Sequence, residues 1–345
     1  VQPAFHHETL ERVLDHSARA IDEVAAGWRS LPSGAVVDID AAMMQAALGV
    51  VGSALFGADL SADAEDLTAA TLAALEVVVA RARVPITPPS WVPTPANRTL
   101  ASSVGKLDRA VARMMRDRRR VDRTEPADML DLLMSARDDA GEALTARGVR
   151  DQIVTFIVAG HETVASALTW AWGLLAQHPH WQDRLRDEAR EVIGDRRAGW
   201  SDYPRLTVAR AVLDEAMRLY PPAWLITRQA READRLGGYD IPAGALVILS
   251  PWLLHRHPRV WPDAESFHPE RFLDGSADRT CFAPFGAGPR QCIGRDFSYV
   301  EGVLMLAVLA RDFSVAFPEG GVLPPADPSV TLRPVGGMAL RVAPR

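Results

Sequence analysis

Residues 153 to 176, "IVTFIVAGHETVASALTWAWGLLA", are long and apolar enough to cross a lipid bilayer. Their centre, however, is "AGHET", with Gly160, His161, Glu162 and Thr163 side by side. A glutamate and a histidine at mid-bilayer cost several kcal/mol, so the stretch reads as a buried core helix with a functional interruption. At about 1.5 Å rise per residue it spans roughly 35 to 40 Å, the width of a globular protein. The polar cluster halfway along it is then expected at the centre of the molecule.

Around that helix, apolar residues recur at helical spacing near 8–28, 39–56, 61–83, 98–119, 127–136, 145–177, 179–193, 206–219 and 294–312. The Pro-rich "VPITPPSWVPTPANR" (84–98) separates two of these, and its Trp91 is a candidate for an exposed tip or lid. From 224 the pattern changes: "LGGYDIPAGALVILS" reads as short strands joined by glycine turns, followed by a Pro- and His-rich coil. The expected fold is mainly α with a smaller β part. It is expected as one domain over 1–345, with a helical part to about 220 and a β-rich part from about 221.

Charge narrows the partners. A net charge of −6 gives no bulk attraction to nucleic acid, and the one basic run, "RDRRRVDR" (116–123), is broken by aspartates and reads as a solvated helix end. Two separated cysteines, Cys281 and Cys292, form neither a CxxC pair nor a disulfide ladder, which fits a reducing cytosol. Lys106 is the only lysine among many arginines, a bias of GC-rich, bacterial coding.

Cys292 lies in "FGAGPRQCIG" (285–294), just ahead of a helical pattern. The dinucleotide fingerprint fails because Gln291 stands where the third glycine belongs, and a Walker loop fails for want of Gly-Lys-Ser/Thr. A zinc site lacks partners. What remains is a lone sulfur at a helix N-terminus beside Arg290, where the helix dipole and backbone N–H groups are expected to favour the thiolate. Such a sulfur is a nucleophile or a soft metal ligand, and a haem iron needs only one protein ligand. Gly286 and Gly288 allow the backbone to lie flat against a planar ring, and Gly294 allows the next helix to approach.

Phe285, Gly288, Arg290, Cys292 and Gly294 together fit F-x-x-G-x-R-x-C-x-G, which resembles the haem-binding loop of the cytochrome P-450 monooxygenases. Five such positions coincide by chance in about one chain of this length in ten thousand. "AGHET", "EAMR" (215–218), "HPERF" (268–272) and the cysteine loop follow in that family's own order. The resemblance covers essentially the whole chain. It implies the P-450 fold, in which haem b lies between the long central helix and the loop, with Cys292 as the iron ligand.

The same resemblance implies that Glu215, Arg218 and Arg271 form a buried structural network, and that Arg290 and Arg228 bind the haem propionates. Gly160 and Ala159 would let the central helix open locally and leave room for dioxygen. Glu162 and Thr163 would deliver protons, although a hydroxyl bonded within its own helix and a core-edge carboxylate are the plainer readings. Phe156, Ala223, Trp224, Leu225, Val330 and Thr331 are candidate substrate contacts; all are apolar or small, which suits a lipophilic substrate.

Electrons would come from NAD(P)H through a reductase and a ferredoxin or flavodoxin, because no flavin or ferredoxin domain lies in these residues. A peroxide-driven peroxygenase and a non-catalytic haem-binding fragment are the rivals. A monomer is the expectation, in the cytoplasm. Family members are longer at the front, so a chain starting at Val1 is expected to hold haem weakly and to leave the distal face open. The same gap leaves an N-terminal membrane anchor open.

Overall fold

A computed structural model of the chain describes residues 7–58, 64–82, 84, 87–120, 128–137 and 141–345. The start "VQPAFH", the basic run beyond Arg120, residues 85 and 86 of the Pro-rich stretch, the first residues of the helices expected from 61 and 127 and the last residue of the helix expected to 83 lie outside the described residues.

Helices come first: α1 (His7–Arg29), α2 (Ile39–Phe56), α3 (Ala64–Ala82), α4 (Pro95–Arg119), α5 (Met129–Ser135), α6 (Ala146–Gln177), α7 (Pro179–Val192) and α8 (Thr207–Leu219). Their starts follow from local chemistry. The Thr145 hydroxyl caps α6 by accepting from the Gly148 N–H at 3.0 Å, and Thr94 followed by Pro95 opens α4 in the same way. Short elements follow, α9 (Pro251–Leu254) and α10 (Glu270–Leu273), and then α11 (Arg295–Asp312).

The central helix α6 runs unbroken for 32 residues. Every residue from Val164 to Leu175 is buried, so this half is apolar on all sides and fills the core. Helix α2 packs along it, α8 and α11 lie against it, and α1 packs on α11. Helices α2 and α6 are both long and apolar enough to cross a membrane, yet most of each window is buried inside the protein.

The strands form four small antiparallel sheets. β2 (Ile226–Gln229) pairs with β5 (Leu246–Leu249), β3 (Asp234–Leu236) with β4 (Tyr239–Ile241), and β7 (Ala326–Pro328) with β8 (Leu332–Pro334). The three-stranded sheet crosses the expected division at 220. β1 (Ala35–Asp38) pairs with β9 (Ala339–Pro344), which also pairs with β6 (Phe313–Ala316), in register Ala35↔Val342 and Phe313↔Pro344. A strand that follows the first helix and the last strand of the chain are thereby held in one sheet.

The basic run is not purely solvated. Arg118 turns inward with 9% of its side chain exposed, bonding Asp128, Asp131 and the Phe56 carbonyl. Its guanidinium ties α4 to α2 and α5, a role the surrounding arginines hide in the sequence.

Candidate active site

Helix α6 supplies one wall. Ala159, Thr163 and Ala167 recur every four residues and so share one stripe, which faces a cavity of about 340 Å³. The Thr163 hydroxyl donates to the Ala159 carbonyl at 2.8 Å, a bond within its own helix. Glu162 points elsewhere. It is 3% exposed and accepts from the Thr331 hydroxyl at 2.7 Å. Burial pushes its carboxyl above the ordinary range, while the Thr331 bond and the Arg333 guanidinium pull it back.

Gly160 does not open the helix. A Cβ there would meet Val51 Cγ2 of α2 at 2.9 Å, and α6 remains helical through this point. Its missing side chain serves close packing of α2 on α6. His161, beside it, is 1% exposed, and burial lowers its pKa to about 4.

The opposite wall is the cysteine loop. The Cys292 N–H donates to the Phe285 carbonyl at 2.9 Å and closes the loop. Gly286 and Gly288 have φ of 68° and 73°, a region that side chains rarely adopt. Gly294 has an ordinary φ of −85° and stands at the N-cap of α11. Phe285 rests on Tyr299 with ring centroids 5.1 Å apart, and the Tyr299 hydroxyl donates to buried Asp214 at 2.6 Å. Burial raises the Cys292 thiol pKa and the Gly294 N–H bond lowers it, so burial opposes the thiolate that the helix N-terminus is expected to favour.

Cys292, Phe285, Gly286, Ala159, Thr163 and Ala223 all line this one cavity, and so do Arg228 and Arg290. Both arginines are exposed, and among the described residues neither has a carboxylate within salt-bridge distance. A mostly apolar slot with one sulfur and two guanidiniums that lack a carboxylate partner among the described residues fits a planar, dianionic group that takes one soft protein ligand, as haem does.

The other candidates fall outside the cavity lining. Gly288 and Gly294 shape the loop without lining it. Phe156 is half-buried against the main core, and Leu225 and Val330 are exposed. Trp224 donates to the Ser329 carbonyl at 3.0 Å, which stitches residues 222–224 to the β7–β8 hairpin. Thr331 is taken up by Glu162.

Beneath the loop, Glu215 accepts from Arg218 Nε and Nη2 at 2.7 and 2.9 Å, from Arg271 Nε at 3.2 Å and from the His268 N–H at 2.9 Å. Arg218 also donates to the His255, Ala264 and Ser266 carbonyls, pinning the coil that leads into the cysteine loop.

A family model described as Cytochrome P450 matches residues 1–341. The chain belongs to the cytochrome P450 family. Among its curated relatives, "Cyclooctatin synthase" of Streptomyces melanosporofaciens is 36% identical over 318 residues, covering 90% of this chain and 68% of that protein. "Cyclooctat-9-en-7-ol 5-monooxygenase" of the same organism is 33% identical over 315 residues, with the same coverage. "Pentalenene oxygenase" of Streptomyces avermitilis is 33% identical over 341 residues, covering 97% of this chain and 72% of its own. This P450 is thus a monooxygenase of a family that works with haem iron and oxygen.

Sequence reading missed several residues lining the P450's cavity: Leu213 and Met217 on α8, and Ser298 and Gly302 on α11. Each pair is spaced i, i+4, as are Ala159 and Thr163. Extending that stripe along the neighbouring helices is the signal that would have found them.

Proposed function

We propose that this P450 inserts one atom of dioxygen into a lipophilic organic molecule, by hydroxylation or epoxidation, with electrons from an external redox partner. One observation carries the reading: Cys292 and the Ala159–Thr163 stripe line the same largely apolar cavity, together with Arg228 and Arg290. Haem, when bound there, supplies oxygen activation at an iron ligated by sulfur. Cys292 would be that ligand, and the two arginines would neutralise the propionates.

The chain's own residues do the rest. The apolar side chains of α6 and α8 exclude water and favour an apolar substrate. Thr163 Oγ1, donating its proton to the Ala159 carbonyl, keeps its lone pairs toward the cavity, where they can accept a proton or a water. Glu162 is the adjacent carboxylate that can restore protons, by way of Thr331 or after turning inward. The relatives' printed names describe cyclic, oxygen-poor molecules, which makes a cyclic hydrocarbon skeleton the first substrate class to try. A ferredoxin or flavodoxin with its reductase, drawing on NAD(P)H, fits as donor.

The test is direct. Haem-loaded protein should show the reduced, carbon-monoxide-bound band of thiolate ligation, and Cys292→Ser should abolish it. Turnover of cyclic hydrocarbons should need NAD(P)H and the redox partners. Turnover with hydrogen peroxide alone at the same rate would replace this reading with a peroxygenase.

A further inference from the structure

Glu162 sits in a buried charged cluster that the family motifs do not describe. Thr331 and Arg333 flank Leu332, whose carbonyl accepts from Ser166 Oγ at 2.7 Å and from Trp170 Nε1 at 2.8 Å. These two bonds moor β8 on α6. Thr331 then reaches Glu162, while Arg333 Nη2 bonds Asp40 at the start of α2. Asp40 is 6% exposed and takes a further bond from the Thr169 hydroxyl at 3.3 Å. The cluster therefore joins α2, α6 and β8, three elements distant in sequence.

Electrostatics gives the cluster a direction. Arg333 favours the ionised form of Glu162, and Asp40 opposes it, because one is a cation and the other an anion in a poorly solvated site. Among the described residues these are the charged groups acting on Glu162 from the packed elements β8 and α2. On its own helix the neighbour is His161, kept neutral by burial with the Arg333 charge adding to the effect. His161 Nδ1 donates to the Ile157 carbonyl at 2.6 Å, and its Nε2 is buried without a partner. Among the described residues Arg333 is thus the cation whose charge acts on both groups beside Thr163.

We propose that Arg333, anchored by Asp40, is a positioning residue that supplies the counter-charge favouring the ionised form of Glu162 in its buried site, while Thr331 sets the direction of the carboxylate. The proposal rests on the reading of Glu162 as the proton-delivering acid. It makes the working pH range of this P450 depend on residues that touch neither cavity nor cofactor.

The experiment uses haem-loaded full chain and two readouts. One is the carboxylic C=O stretch of Glu162 in infrared titration, assigned by its loss in Glu162→Gln. The other is the pH profile of product formed per NAD(P)H consumed. Arg333→Met should move the Glu162 titration, and with it the acid limb of the profile, to higher pH. Arg333→Lys should restore it. Asp40→Asn should move both the opposite way, toward lower pH, because it leaves the Arg333 charge less compensated.

Opposite shifts distinguish a counter-charge from mere packing, which would disturb all three variants alike; unfolding midpoints show that each variant folds. Shifts in one common direction, or none, overturn the proposal. Should Glu162→Gln leave the acid limb unchanged, the reading of Glu162 as proton source fails. The infrared titration would still decide whether Arg333 is its counter-charge.

Discussion

Two buried glutamates, Glu215 beneath the cysteine loop and Glu162 on the central helix, differ in how completely the protein bonds them. Glu215 is 0% exposed and takes four donors from Arg218, Arg271 and His268. Glu162 is 3% exposed and, among the described residues, accepts from the Thr331 hydroxyl. A carboxylate whose lone pairs are filled by fixed donors is held in place as structure. One that is buried but sparsely bonded keeps the freedom to change protonation state. Glu301 on α11 extends the series: wholly buried and without a hydrogen-bond partner among the described residues, it is pushed well above the usual carboxylate range by burial alone.

The contrast breaks most visibly if Glu215 is removed. Glu215→Ala leaves the Arg218 charge buried, at 0% exposure, without its carboxylate, and should cost about 3–5 kcal/mol. Denaturant unfolding measures this, with haem incorporation falling alongside. A loss below about 1 kcal/mol would mean that the network is not structural.

Each glutamate also has a buried histidine at hand, and pH tests both sites together. His161 adjoins Glu162, and the His255 carbonyl accepts from Arg218 at 2.8 Å. Burial lowers both imidazoles to about 4 from 6.5. The folded state holds them neutral while the unfolded chain binds protons, so stability is full above pH 6.5 and falls as pH drops toward 4. The loss is about 3 kcal/mol per histidine. Unfolding free energies measured between pH 7 and pH 4 should show it, and His161→Phe should flatten the slope.

A smaller effect is expected at Gly160. Gly160→Ala overpacks against Val51, at about 1–3 kcal/mol, and regains about 1 kcal/mol of helix propensity. Adding Val51→Ala should remove the clash, and a double-mutant cycle on thermal midpoints would read the coupling. The smallest change in stability belongs to Glu162→Gln, below about 1 kcal/mol, since the amide oxygen still accepts from Thr331. Its turnover should nevertheless fall about 100-fold. A variant both as active and as stable as the parent would put Glu162 with Glu215 as plain structure.

Much of the site was readable in order along the chain. The cysteine loop, the Glu-x-x-Arg helix and "AGHET" are local patterns, because a loop's backbone turns and a helix's i, i+3 and i, i+4 spacings are written in neighbouring residues. Phe285, Cys292, Arg290, Arg228, Ala159 and Thr163 accordingly meet at one cavity. The substrate contacts were less legible. Val330, Thr331 and Trp224 sit on turns whose side-chain directions depend on a hairpin docking against a distant helix.

By itself the sequence determined the long central helix, the positions of the other helices and the turns of the cysteine loop, since each follows from short-range periodicity, capping and glycine conformation. Only the tertiary structure decided that β1 pairs with β9 across some three hundred residues, and that Arg118 turns inward. It alone revealed that Gly160 lies against Val51, that Thr331 bonds Glu162 and that Arg333 bonds Asp40. Those contacts join residues distant along the chain, so no local pattern records them. What they control, the burial and charge around each polar group, is a property of the packed interior.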